Sequence, residues 1–82
     1  MTKLEEKLIE LGYKRSEFMI HSFKKIFIDN VIMFILNEAE NNIKERRVMA
    51  ISIKSQQDIN DLQQAFNQLQ KDLDVLKNDE KN

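Results

Sequence analysis

The stretch Phe23-Lys-Lys-Ile-Phe-Ile-Asp-Asn-Val-Ile-Met-Phe-Ile-Leu36 decides how this chain folds. Isoleucine, valine and phenylalanine crowd it, and such side chains suit a pleated surface better than a helix. Asp29-Asn30 parts two apolar runs where a two-residue hairpin turn would sit. Met19, Phe23, Ile26 and Met33 also fall at helical spacing, so one long helix is the competing reading. Downstream, Asn37-Glu-Ala-Glu-Asn-Asn42 is rich in turn formers and reads as a second connection. Beyond it Ile43, Met49, Ile51 and Ile53 share one parity, while Lys44, Arg46, Val48 and Ser52 take the other. Glu45 and Arg47 break the apolar side near the strand's start. The region is therefore expected to form a three-stranded antiparallel meander that turns those isoleucines inward.

Helices flank it. Leu4, Leu8 and Leu11 recur at i, i+4 and i+7, with Thr2 and Glu5 spaced as a capping box and Gly12, the only glycine, placed to end the helix. This gives a first helix over 3–11, too short to stand alone. Ser55 and Asp58 repeat the cap signal, and Ile59, Leu62, Phe66, Leu69, Leu73 and Leu76 follow at spacings of 3, 4, 3, 4, 3. The second helix is placed at 56–77, with 78–82 as a frayed tail. The expected fold is a single α+β domain over 1–82, of order α-β-β-β-α: a three-stranded antiparallel sheet with both helices on one face. Leu4, Leu8, Leu11, Ile59, Leu62, Phe66, Leu69 and Leu73 would meet the sheet there, and Phe66→Ala would then cost about 3–5 kcal/mol.

Composition closes several functional classes. The 82 residues contain no cysteine, proline or tryptophan, so a disulfide framework, a thiolate metal site and a cysteine nucleophile are all excluded. The absence of disulfides fits a reducing compartment. His21 is the only imidazole and has no companion ligand at metal spacing, so a surface or structural role is expected of it. Ser16, Ser22, Ser52 and Ser55 lack a nucleophile elbow, and one glycine cannot build a phosphate loop. The carboxylate pairs, such as Glu5-Glu6, Glu38 with Glu40, and Asp72 with Asp74, lie in polar runs rather than in an apolar cleft. No enzymatic activity, cofactor or metal is expected. The opening residues lack the roughly 7–15 consecutive apolar positions of a signal peptide. Ile26 to Leu36 is far shorter than the roughly 20 residues of a membrane span. A cytoplasmic location is the expectation.

Charge is unevenly spread. The net charge is −1, yet residues 13–54 carry +3 and residues 55–82 carry −3. Lys24, Lys44, Arg46 and Arg47 are the candidate partner-binding groups, taken together on the outer face of the sheet. Nucleic acid is the weaker candidate partner: Tyr13, Phe23 and Phe27 could stack bases if exposed, but no global basic charge attracts phosphate. The heptad positions Ile59, Leu62, Phe66, Leu69, Leu73 and Leu76 are the candidate self-association seam. Neutral Gln63, Gln64, Asn67, Gln68 and Gln70 surround that seam, which favours packing within the chain over a charge-selected coiled coil, while a homodimer remains the alternative.

Lys3-Leu-Glu-Glu-Lys-Leu-Ile-Glu-Leu-Gly-Tyr13 and Gln57-Asp-Ile-Asn-Asp-Leu-Gln-Gln-Ala-Phe-Asn-Gln-Leu-Gln-Lys-Asp-Leu73 resemble the ends of small accessory proteins of temperate phages of staphylococci and related Gram-positive bacteria. The resemblance covers about 28 positions and carries no chemical motif. It implies a phage origin and action inside an infected or lysogenic bacterial host. Small phage proteins of this class occupy the surface of a host protein, in a defence system such as CRISPR or in replication or transcription. The expected function is such a non-enzymatic inhibitor, with an unidentified host protein as partner and no membrane or small-molecule substrate. A structural protein dimerising through the C-terminal helix and a nucleic-acid-binding accessory protein are the alternatives.

Overall fold

The hydroxyl of Thr2 accepts a hydrogen bond from the Glu5 amide and starts helix α1, Lys3–Glu10. Gly12, at φ +99°, turns the chain out of the helix, a left-handed conformation that glycine adopts without strain. Strands β1 (Lys14–Arg15), β2 (Ser22–Ile28), β3 (Ile32–Ala39) and β4 (Asn42–Ala50) follow, and helix α2 (Gln56–Glu80) completes the chain. This computed structural model describes residues 2–80, with side chains to residue 77. Helix α2 thus continues into what the sequence assigns to the frayed tail, of which residues 81 and 82 lie outside the described residues.

The α+β class and the two flanking helices are as expected; the sheet has four strands, not three. All neighbours are antiparallel, in the order β1-β2-β3-β4. β1 pairs Lys14 with Lys24 and Arg15 with Phe23. Two residues carry no alternation, so only tertiary pairing reveals this strand. The β2–β3 hairpin turns at Asp29-Asn30 as the sequence predicts, with Asn30 at φ +61°. The β3–β4 turn is tighter than expected: strand pairing persists to Ala39–Asn42, and Glu40 and Asn41 both take positive φ, as a two-residue primed turn requires.

Leu4 and Leu8 of α1, Phe23 of β2, Ile32, Phe34 and Leu36 of β3, and Ala65, Leu69 and Leu76 of α2 form the core, with Tyr13 among them. Both helices lie on this side. Phe27 stacks on Phe34, ring centroids 5.5 Å apart. The facing of α2 departs from the expected seam. Leu62, Leu69 and Leu76 turn toward the core, but Ala65 and Asp72 complete the buried line, Leu73 is half-buried, and Ile59 and Phe66 are exposed. Phe66, expected in the core, is 56% exposed.

Asp72 explains the rotation. Its carboxylate accepts from Tyr13 Oη at 3.0 Å, Lys25 Nζ at 2.9 Å and Gln68 Nε2 at 2.9 Å, while the Lys25 ammonium lies 5.2 Å from the centre of the Tyr13 ring. A buried carboxylate with three donors is satisfied, and the small Ala65 lets the helix approach closely.

β4 is also turned over relative to expectation. Asn37 pairs with Glu45, but Glu38 pairs with Ile43, so Lys44 is the extra residue of a bulge. The bulge lets Ile43 and Val48, five residues apart, both pack toward the core. Met49 consequently faces away from the helices, and Ile51 and Ile53 are exposed beyond the strand.

Candidate functional site

The face of the sheet without helices is where exposed apolar surface and uncommitted charge meet. Alternation along three paired strands builds it in rows. Ile26, Met33 and Met49 are cross-strand partners and form one apolar row. Ile26 is 61% and Met49 49% exposed. The next row is Lys14, Lys24, Ile35 and Arg47, and the third is Ser22, Asn37 and Glu45.

Segments at both ends extend this surface. Ser16 Oγ accepts from the amides of Phe18 and Met19 and shapes the 16–21 loop. That loop covers Ser22 and raises Phe18, Met19 and Ile20 into solvent, with Phe18 93% exposed. Met19 borders a depression that also involves Lys24, Ile35 and Arg47. At the opposite end a depression of about 300 Å3 is lined by Ile26, Met33, Met49 and Ile51.

The electrostatics sort the basic residues. Arg15 is bound to Glu5, Lys25 to Asp72, and Arg47 to Glu45 at 2.7 Å, with Asn37 donating to the same Glu45 oxygen at 3.0 Å. Lys14, Lys24, Lys44 and Arg46 have no carboxylate partner among the described residues. The four candidate groups therefore do not form one patch. Lys24 and Arg47 share a row of the open face, with Ile35 between them. Lys44 sits at the bulge. Arg46 pairs with buried Leu36, which places it on the helix side, near Gln70, Leu73 and Asp74 of α2. Simple alternation from Ile43 would put Arg46 on the outer face; the extra residue at Lys44 moves it to the helix side.

Tyr13 and Phe23 are each 1% exposed and Phe27 lies against Phe34, so none of the three candidate stacking aromatics reaches solvent on the open face. Burial, together with the neighbouring Asp72 carboxylate, raises the Tyr13 phenol far above its ordinary value and keeps it neutral. His21 pairs through Nδ1 with Glu38 Oε1 at 2.9 Å in an exposed position. Ser55 Oγ accepts from the Asp58 amide and caps α2, and Asp58 accepts in return from the Lys54 and Ser55 amides. Among the described residues no His, Asp and Glu cluster could hold a metal ion, and no described helix is long and apolar enough to cross a membrane. Simple alternation from Ile43 turns Met49 inward, so the Ile26–Met33–Met49 row is hidden in the sequence until the bulge is known. No known protein family, curated protein or solved structure matches the chain.

Proposed function

We propose that this chain is a non-enzymatic protein-binding module that docks the helix-free face of its sheet onto a protein surface combining apolar groups with carboxylates. What carries this reading is the Ile26–Met33–Met49 row, half-buried at Met33 and exposed at Ile26 and Met49, beside Lys24, a lysine with no partner of its own. Apolar groups on a rigid sheet bind without costly ordering, and an uncommitted ammonium selects a carboxylate across the interface. Tyr13, Phe23 and Phe27 are turned into the core, which leaves Phe18, among the described residues, as the one exposed ring beside the open face. That is less than a stacking platform for successive bases needs, and it favours a protein over a single-stranded nucleic acid as partner. The resemblance of the chain ends to phage accessory proteins makes a host defence, replication or transcription protein the expected target, inhibited by occupation of its surface.

Ile26→Asp tests this, since Ile26 is exposed and its replacement leaves the core intact. Affinity capture from nuclease-treated Gram-positive lysate will recover a stoichiometric host protein with the wild type. With Ile26→Asp recovery will fall by about thirtyfold, the loss expected of a central contact worth roughly 2 kcal/mol. Val75→Gln, on the other side of the molecule, will capture as the wild type does. Equal capture by Ile26→Asp, with an unchanged circular dichroism spectrum, rejects the open face as the docking surface.

A further inference from the structure

The described methionines, Met19, Met33 and Met49, all border the helix-free face of the sheet. Met33 and Met49 are direct partners across β3 and β4 and, with Ile26 and Ile51, line the depression at one end of that face. Met19 borders the depression at the other end. The core of the described residues holds no methionine; leucine, isoleucine, valine, phenylalanine, tyrosine and alanine fill it.

Neither packing nor strand formation asks for this division. Methionine is ordinarily an interior side chain that fills irregular gaps. Isoleucine suits an exposed strand position better and occurs in each of β2, β3 and β4. What methionine adds here is chemistry. A thioether accepts oxygen from a peroxide, and the chain has no cysteine to react in its place.

We infer that Met49, with Met33 beside it, is a reversible sulfoxidation site that turns the open face from apolar to polar while the fold stays intact. The oxidant is hydrogen peroxide. A lone pair of the Met49 sulfur forms the S–O bond as the O–O bond breaks. The proton on the transferred oxygen passes to the departing hydroxide, which leaves as water. The sulfur is thereby oxidised by two electrons and the peroxide reduced. Return needs a thiol reductant: two thiols become one disulfide and the sulfoxide oxygen leaves as water.

Access sets the order of reaction. Met49 is 49% and Met19 58% exposed, whereas Met33 is half-buried between Ile26 and Met49. The first oxygens therefore go to Met19 and Met49. Water solvates the new S=O dipole in the free protein, but an apolar partner surface would have to strip that water away. On the docking reading above, on which this consequence rests, oxidation releases the partner. Oxidation of a core methionine disrupts packing; here the sulfurs lie outside the core, so the oxidised chain keeps its stability.

Millimolar hydrogen peroxide followed by peptide mass mapping, urea denaturation and hydrophobic-interaction chromatography tests the site. Met19→Leu serves as the parent, so that the row is read without the loop. It will gain oxygen at Met49 before Met33, elute earlier from the column and keep its urea midpoint. The methionine sulfoxide reductases for the two epimers, with dithiothreitol, will restore the retention. Adding Met49→Leu will remove most of the shift. A retention that the Met49 sulfoxide leaves unmoved overturns the proposal. So does a urea midpoint that falls with it, or a Met49 that peroxide does not reach in the folded chain. Capture from lysate reads the consequence separately: the oxidised parent will recover about tenfold less host protein. Full recovery by protein carrying the Met49 sulfoxide overturns the release. A chain that captures nothing even when reduced rejects the docking reading instead, and the mass, retention and urea measurements still decide the modification.

Discussion

Asp72→Ala will remove about 3 kcal/mol or more of folding stability, a large share of the roughly 4–12 kcal/mol expected of a domain this small. The carboxylate is 1% exposed and carries the hydrogen bonds of Tyr13, Lys25 and Gln68. Truncation leaves an ammonium and a buried phenol facing a void, and an orphaned buried charge costs more than the pair contributed. The Lys25 side chain is 18% exposed and can turn partly to water, which holds the loss near the lower end of the 3–5 kcal/mol range for broken buried pairs. Replacing both charges, as Lys25→Met with Asp72→Leu, will cost less than the sum of the single changes, because no unpaired charge remains and only the neutral Tyr13 and Gln68 donors lose their acceptor. Urea denaturation of the three variants measures this; a loss below about 1 kcal/mol for Asp72→Ala would show that the network does not hold α2 in place. The same cluster has an alkaline signature. The Tyr13 phenol is raised in the folded state by burial first and then by the Asp72 charge and hydrogen bond. Its contribution is therefore complete below the ordinary tyrosine value of 10.0 and is lost as pH climbs above it, a limb that Tyr13→Phe will flatten.

Local chemistry was the legible part of this fold. Thr2 with Glu5 and Ser55 with Asp58 announce the two helix starts, because a cap is made within four residues of sequence. Asp29-Asn30 marks its hairpin for the same reason. What could not be read depends on partners distant in sequence. β1 exists only because Lys14 and Arg15 meet Lys24 and Phe23. The facing of β4 is set by one extra residue at Lys44, which inverts the parity of everything after it. That inversion decides the candidate site: it keeps Arg47 with Lys24, sends Arg46 to the helix side and brings Met49 into the open apolar row. The Tyr13–Asp72–Lys25 cluster spans 59 residues and announces itself only as an aspartate on the line through Leu62, Leu69 and Leu76. Heptad spacing alone favours the leucine beside it.

Phe34→Ala and Phe66→Ala will separate these two descriptions of α2. Both residues are phenylalanines in apolar runs, and the heptad spacing makes Phe66 the better core candidate. Phe34 is 0% exposed, in the central strand β3 between Lys25 and Val48, with the Phe27 ring stacked upon it. Its truncation opens a cavity that β2, β4 and the helices can collapse into only partly, and will cost about 3–5 kcal/mol. Phe66 has more than half of its surface in water, and alanine is the better helix former, so Phe66→Ala will change monomer stability by no more than about 0.5 kcal/mol. Both belong in denaturant titrations at low micromolar concentration. A loss above roughly 2 kcal/mol for Phe66→Ala under those conditions would place the ring in the core. It would also turn α2 back onto its heptad seam and expose Asp72.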